Sequence, residues 1–372
     1  MEYIMLKDVC AINMGQSPDS SNYNYDGVGL PFFQGNADFG ERYPVARKWC
    51  SVPTKIAKPE DILISVRAPI GALNYAREEC CIGRGLAALT PDKSKVSPEF
   101  IFWLLKAKNI ELNSKGTGST FKAIGRSVLE ETRLPNVPLT AQREYSQVLE
   151  NIYAIIQSRK IQLQKLDELV KARFVELFGD PQRNPHGYKH TKLSDIATYY
   201  NGLTYKPENV AEEGTIVLRS SNIQNSQLDF ADTVRVDCAI KERLMVQKND
   251  ILMCSRNGSA KLVGKVALIK DTQEPMSFGA FMMIIRSHYF GYLMTYFQMD
   301  AFRQQIKTGA TTTINQITGR MLDDVTIPLP PMALVDQFAV FVEQTDKSKV
   351  AIQKALDEAQ LLFDSLMQKY FQ

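Results

Sequence analysis

From Leu149 onward the apolar positions advance in alternating steps of three and four: Leu149, Ile152, Ile156, then Arg159, then Leu163, Leu166, Val170, Arg173 and Leu177. A spacing of 3.5 residues is the period of a coiled-coil seam, in which one narrow stripe of a helix faces a partner. A second segment repeats the phase 193 residues later through Val342, Thr345, Lys349, Ile352, Leu356, Ala359, Phe363, Leu366 and Tyr370. Neither segment contains Pro or Gly, and both are rich in Gln, Lys, Glu, Leu and Ala, so intrinsic propensity agrees with the pattern. One isolated seam fits an ordinary amphipathic helix packed on its own domain better than it fits a coiled coil. Its duplication favours two helices that bury their stripes against each other. Arg159, Arg173 and Lys349 interrupt the seams, and such residues set register and partner at some cost in stability.

The repeat extends upstream of both helices. Gly116-Thr-Gly-Ser-Thr-Phe-Lys-Ala-Ile aligns with Gly309-Ala-Thr-Thr-Thr-Ile-Asn-Gln-Ile, and Leu129-Glu-Glu-Thr-Arg-Leu-Pro-Asn-Val-Pro with Leu322-Asp-Asp-Val-Thr-Ile-Pro-Leu-Pro-Pro, at the same offset. Weaker matches follow: Leu6-Lys-Asp-Val-Cys and Gly15 with Leu193-Ser-Asp-Ile-Ala and Gly202, and Asp61-Ile-Leu-Ile-Ser-Val-Arg67 with Asp250-Ile-Leu-Met-Cys-Ser-Arg256. Arg84-Gly-Leu-Ala-Ala-Leu aligns with Phe278-Gly-Ala-Phe-Met-Met. These are short apolar runs bounded by Gly, Pro and Asn, which reads as strands. The expected fold class is α+β, with two similar mixed α/β domains in tandem, each followed by a long helix, the two helices pairing as an antiparallel coiled coil. The expected boundaries are 1–138 for the first domain, 139–180 for the first helix, 181–331 for a linker and the second domain, and 332–372 for the second helix.

A chain of 372 residues with 44% hydrophobic and 23% charged residues suits two soluble domains plus connecting structure. No apolar run approaches a bilayer span and the first residues lack a secretory pattern, so the expectation is a cytoplasmic protein without a membrane segment. Six scattered cysteines without a CxxC pair argue for reduced thiols rather than disulfides or zinc, and the three histidines suggest no metal site. The net charge of +3 permits nucleic-acid binding without announcing it. Methyl transfer would need a Gly-rich strand-turn-helix and an Asn/Asp-Pro-Pro-aromatic motif. Asn184-Pro-His-Gly-Tyr carries His where the second Pro belongs, and Gly116-Thr-Gly lacks the Lys-Ser/Thr of a phosphate loop. No catalytic residue is expected in this chain.

The order domain, helix, domain, helix resembles the DNA specificity subunits of type I restriction-modification systems, the HsdS family, over essentially the whole chain. Its local marks are Gly116-Thr-Gly-Ser-Thr, Gly309-Ala-Thr-Thr-Thr, the Ile/Leu-Pro-x-x-Pro helix entries, and the linker Phe178-Gly-Asp-Pro-Gln-Arg-Asn-Pro-His-Gly-Tyr188. The resemblance implies a non-catalytic subunit whose two target recognition domains each read half of an interrupted, adenine-containing site in double-stranded DNA. It also implies two methyltransferase subunits bound at the long helices and, for cleavage, two restriction-translocation subunits. S-adenosylmethionine and ATP with Mg would then act on the partners, with no cofactor in this chain. An antiparallel helix pair would relate the domains by an approximate two-fold axis, matching the local two-folds of duplex DNA. A seam of about 28 residues spans roughly 42 Å, or about 12 base pairs.

Base edges are best met by Arg, Lys, Asn, Gln, Ser and Thr on loops and strand ends. The candidates are Gln34, Asn36, Arg67 and Arg84 in the first domain, and Arg219, Ser220, Asn222, Arg256, Asn257 and Lys261 in the second. Lys115, Thr117, Ser119 and Thr120, with Lys307, Thr311, Thr312 and Thr313, suit phosphate contact. Each also fits a solvated or structural hydrogen-bonding role. The competing function is a stand-alone tandem DNA-binding or scaffolding protein.

Overall fold

Where the sequence alternates apolar runs with turn residues, the computed structural model has strands; it describes residues 2–118, 122–272, 274–306 and 315–371. In the first domain an antiparallel sheet runs in the order Cys10–Met14, Leu86–Pro91, Ile62–Ser65, Leu73–Tyr75. The second domain repeats it with Thr198–Asn201, Met282–Arg286, Ile251–Cys254 and Val266–Leu268. The central strands Ile62–Ser65 and Ile251–Cys254 are buried at every position, which is why they read as continuous apolar runs rather than as alternation.

A second sheet is duplicated as well. Its order is Tyr23–Asn24, Trp49–Cys50, Leu30–Phe33, Cys80–Ile82 in the first domain, with Ile56–Ala57 at the edge. Val210–Ala211, Arg235–Val236, Thr215–Leu218 and Met276–Phe278 form it in the second. In both, only the pairing of the third and fourth strands is parallel. Short ladders, Tyr3–Met5 on Arg133–Pro135 and His190–Lys192 on Thr326–Pro328, tie the start of each domain to the strand that feeds its long helix. The second domain adds a hairpin, Ile223–Gln224 on Gln227–Leu228, closed by Asn225 and Ser226 in the left-handed region.

The ladders correct one expected alignment. Leu86 pairs with Ser65 and Met282 with Cys254, so Arg84 corresponds to Ala280 and Gly85 to Phe281, not Arg84 to Phe278. A slip of two residues leaves the inward and outward pattern of a strand unchanged, so the apolar pattern alone could not detect it.

The chain forms two compact units, Met1–Ile161 with Gln353–Gln372, and Gln162–Ile352. The long helices run Leu139–Phe178 and Met332–Phe371, and each contributes to both units. In the first unit Tyr145 stacks on Tyr370 with centroids 4.1 Å apart, and Tyr153 faces Phe363 at 6.3 Å. In the second, Lys349 Nζ donates to Asp167 at 2.6 Å and Phe174 meets Phe338 at 5.6 Å. As one residue number rises its partner's falls, so the helices are antiparallel within each unit.

Aromatic clusters fasten each helix pair to its domain. Trp103, on the buried helix Pro98–Ala107, touches Tyr153 and Phe363, while Phe100 touches Phe371. In the second unit Tyr292 packs on Phe174 and Phe178 and donates its hydroxyl to Pro328 O at 3.0 Å. Such ring pairs add roughly 0.5–1.5 kcal/mol each beyond area burial.

Leu149, Ile152, Ile156 and Phe363 are buried, and Leu163, Leu166, Val170, Leu177, Val342, Ile352, Leu356, Ala359, Leu366 and Tyr370 are half-buried. Phe174, Phe178, Val335, Phe338, Met367 and Phe371 are buried too, although they lie off the strict seam. They cluster near the helix ends, where the apolar face widens to reach the domain core. Arg173 stays in the stripe by pairing with Glu176 at 2.8 Å while lying over the Phe341 ring.

Candidate nucleic-acid interface

The site grows from the C-terminal ends of the parallel strand pair. In the first domain Gly83 N donates to Phe33 O at 2.8 Å, which brings Gln34 and Arg84 to one corner. Gln34 Nε2 donates to Ser17 Oγ at 2.9 Å, and Arg84 N reaches the same hydroxyl at 3.3 Å. Val66 N donates to Gly85 O at 2.9 Å, placing Arg67 beside this corner; Arg67 bridges Ala123, which in turn bridges Thr117. Gln34, Arg67, Arg84 and Thr117 are exposed along this rim. Burial raises the Tyr23 hydroxyl pKa, and the nearby Arg84 charge acts against that rise.

Asn36 is half-buried in a single turn, Asn36–Asp38, whose Asp38 carboxylate accepts Gln34 N at 2.8 Å. Lys115 is exposed but paired with Glu111 at 2.7 Å, a contact that holds the Glu111 carboxyl below its ordinary range. Ser119 and Thr120, and in the second domain Lys307, Thr311, Thr312 and Thr313, lie outside the described residues.

In the second domain Gly279 N donates to Leu218 O at 2.9 Å, so Arg219 takes the place of Gln34. Arg219 Nη2 meets Asp232 at 2.8 Å and Asn257 Nδ2 donates to Ser220 Oγ at 3.4 Å. Arg256 donates to Gln316 Oε1 through Nη2 at 2.6 Å and Nε at 3.2 Å, and lies 5.9 Å from the Phe281 ring centre. A cleft of about 370 Å³ opens between Leu203, Tyr205, Arg219, Ser220, Gly279 and Phe281. Lys261 is exposed on the loop 258–264.

Asn222 does not belong to this rim as a reader. It is fully buried, its Oδ1 accepts Arg219 N at 2.8 Å, and its Nδ2 donates to the carbonyls of Asp229 and Asp232. With acceptor and donors spent on the backbone, it shapes the loop that presents Arg219. Sequence reasoning missed Ser17, Gln316, Tyr205 and Phe281. The first two are distant in sequence from the groups they hold, and the Phe281 run reads as core strand.

Both rims gather guanidinium, amide and hydroxyl groups, the complement of base edges and phosphate oxygens. The Arg219–Asp232 pair is exposed, so it contributes about 0–1 kcal/mol and is readily exchanged for a stronger partner. Among the described residues no group of three or more His, Cys, Asp or Glu is placed to hold a metal ion, and no helix is long and apolar enough to cross a membrane.

Residues 1–168 and 185–360 match the family described as the type I restriction modification DNA specificity domain, once on each half of the chain. The chain belongs to that family. Among its relatives is the putative type I restriction enzyme MjaX specificity subunit of Methanocaldococcus jannaschii, 41% identical over 160 residues, 43% of this chain and 38% of that protein. The type I restriction enzyme EcoKI specificity subunit of Escherichia coli is 27% identical over 183 residues, 46% of this chain and 39% of that protein. The matches to these two relatives therefore span well under half of their length. The MjaIX specificity subunit of Methanocaldococcus jannaschii aligns over 98% of this chain and 91% of its own, at 22% identity. The S subunit of a type I restriction-modification system from M. genitalium shares the fold, with a TM-score of 0.62 and 16% identity over 100% of this chain and 96% of that one. The type I specificity fold thus accounts for the tandem domains and their paired helices.

Proposed function

We propose that this chain is the non-catalytic recognition subunit of a type I restriction-modification complex, reading a bipartite DNA target with one half-site per domain. The observation that carries the reading is the duplication of both sheets, which puts a rim of donors at the equivalent corner of each domain. On this reading two methyltransferase subunits dock along the long helices. Aliphatic side chains left exposed there support it: Val148 and Ile155 in the first unit, Leu169 and Val175 in the second. Two restriction-translocation subunits join for cleavage, S-adenosylmethionine and ATP with Mg act on the partners, and the assembly works in the cytoplasm. Co-expression with its methyltransferase, followed by direct mapping of modified adenines, tests this. An interrupted motif that vanishes when this chain is deleted is the expected outcome. A continuous motif, or methylation that persists without the chain, refutes the reading.

A further inference from the structure

The turn between the parallel strand and the central sheet carries different chemistry in the two domains. It is Gly83-Arg84-Gly85 in the first and Gly279-Ala280-Phe281 in the second. The backbone is held alike in both. Leu86 N donates to Gly83 O at 3.0 Å and Met282 N to Gly279 O at 2.8 Å, while Val66 N and Ser255 N each donate at 2.9 Å, to Gly85 O and Phe281 O. Gly85 has no room for a side chain, because a Cβ there would stand 2.5 Å from the Gln34 carbonyl oxygen. The first domain therefore shows only Arg84 at this turn.

The second domain shows a phenylalanine instead, 59% exposed. Its carbonyl is gripped by two backbone N–H groups, Ser255 at 2.9 Å and Arg256 at 3.1 Å, so the residue is anchored rather than trailing. The ring lines the cleft with Arg219 and Ser220 and has the Arg256 guanidinium beside it. An apolar ring fixed among hydrogen-bond donors suits an apolar group, and in the major groove the apolar group on a base edge is the C5-methyl of thymine.

We propose that Phe281 is a specificity-determining residue that covers the methyl group of a thymine in the half-site read by the second domain. The inference rests on the reading of the chain as a DNA specificity subunit. Arg256, attracted to the ring face, holds the ring in place from one side.

The test uses the complex of the full chain with its methyltransferase. Mapping of modified adenines first gives both half-sites. Phe281→Ala should then relax one A·T position in one half-site and leave the other half-site intact. Duplexes in which each thymine of that half-site is replaced in turn by uracil isolate the methyl group. Wild type should bind one of these about fourfold more weakly, the effect of one lost apolar carbon, and Phe281→Ala should bind it as well as it binds the thymine duplex. Wild-type indifference to every uracil, undiminished sensitivity in Phe281→Ala, or a half-site of G·C pairs alone overturns the proposal while leaving the recognition role standing. Absence of any interrupted methylation motif in the wild type would instead refute the recognition role itself.

Discussion

Phe363 and Leu361 stand two residues apart on the second long helix and face opposite ways, 6% and 73% exposed. Phe363→Ala removes a ring that touches Trp103 at 5.5 Å and Tyr153 at 6.3 Å, so it loosens both the helix pair and its attachment to the domain. Truncating a buried Phe costs about 3–5 kcal/mol. A fully buried leucine is worth about 1.5–3 kcal/mol; with roughly a quarter of its surface covered, Leu361→Ala should cost about 0.5 kcal/mol. Both tryptophans, Trp49 and Trp103, lie in the unit that contains these residues, so tryptophan fluorescence during heating reports on that unit. At about 2–4 °C per kcal/mol for a unit of this size, Phe363→Ala should lower Tm by roughly 6–20 °C and Leu361→Ala by about 1–2 °C. Equal losses, or a Phe363→Ala shift below about 2 °C, would put the buried seam on another face of the helix.

Lys106 lies over the Tyr153 and Trp103 rings at 4.2 and 5.1 Å, and burial, reinforced by the charges of Arg42 and Lys160, lowers its pKa to about 8. Because this lies below the unfolded value of about 10.4, the folded state releases the proton first and stability should rise across the window from about pH 8 to that value; a wild-type Tm that does not gain on that of Lys106→Met over this window refutes the burial argument. Asp250, almost fully buried, accepts Arg286 Nε at 2.8 Å, Arg286 Nη2 at 3.0 Å and Gln247 N at 2.7 Å, so Asp250→Ala should cost about 3 kcal/mol, read as the urea midpoint. A loss under about 1 kcal/mol would mean that water replaces the carboxylate there. Exchanging residues 185–331 for the matching segment of a relative should change one half-site in the methylation map and leave the other; a change in both would sink separate reading by the two domains.

The helices were legible because a 3.5-residue period held over about 28 residues in each of two segments leaves many independent marks, and an antiparallel partner was implied by two seams in one chain. The donors of the rims were legible by type. Which of them are spent was not: Asn222 and Asn257 look alike in sequence, yet one is sealed in its loop and the other reaches Ser220. The placement of Phe281 failed for a more specific reason. The first domain has two glycines, Gly83 and Gly85, that can be set against Gly279, and both settings keep the strand alternation intact. Only a through-space contact selects between them. A Cβ on Gly15 would meet Gly83 O at 2.2 Å, and one on Gly202 would meet Gly279 O at 2.1 Å, so the early glycine of each domain is small to admit the same carbonyl. That equivalence pairs Gly83 with Gly279 and moves Phe281 out of the core strand onto the rim. It is a constraint between residues about seventy apart in each domain, which neither periodicity nor local propensity records.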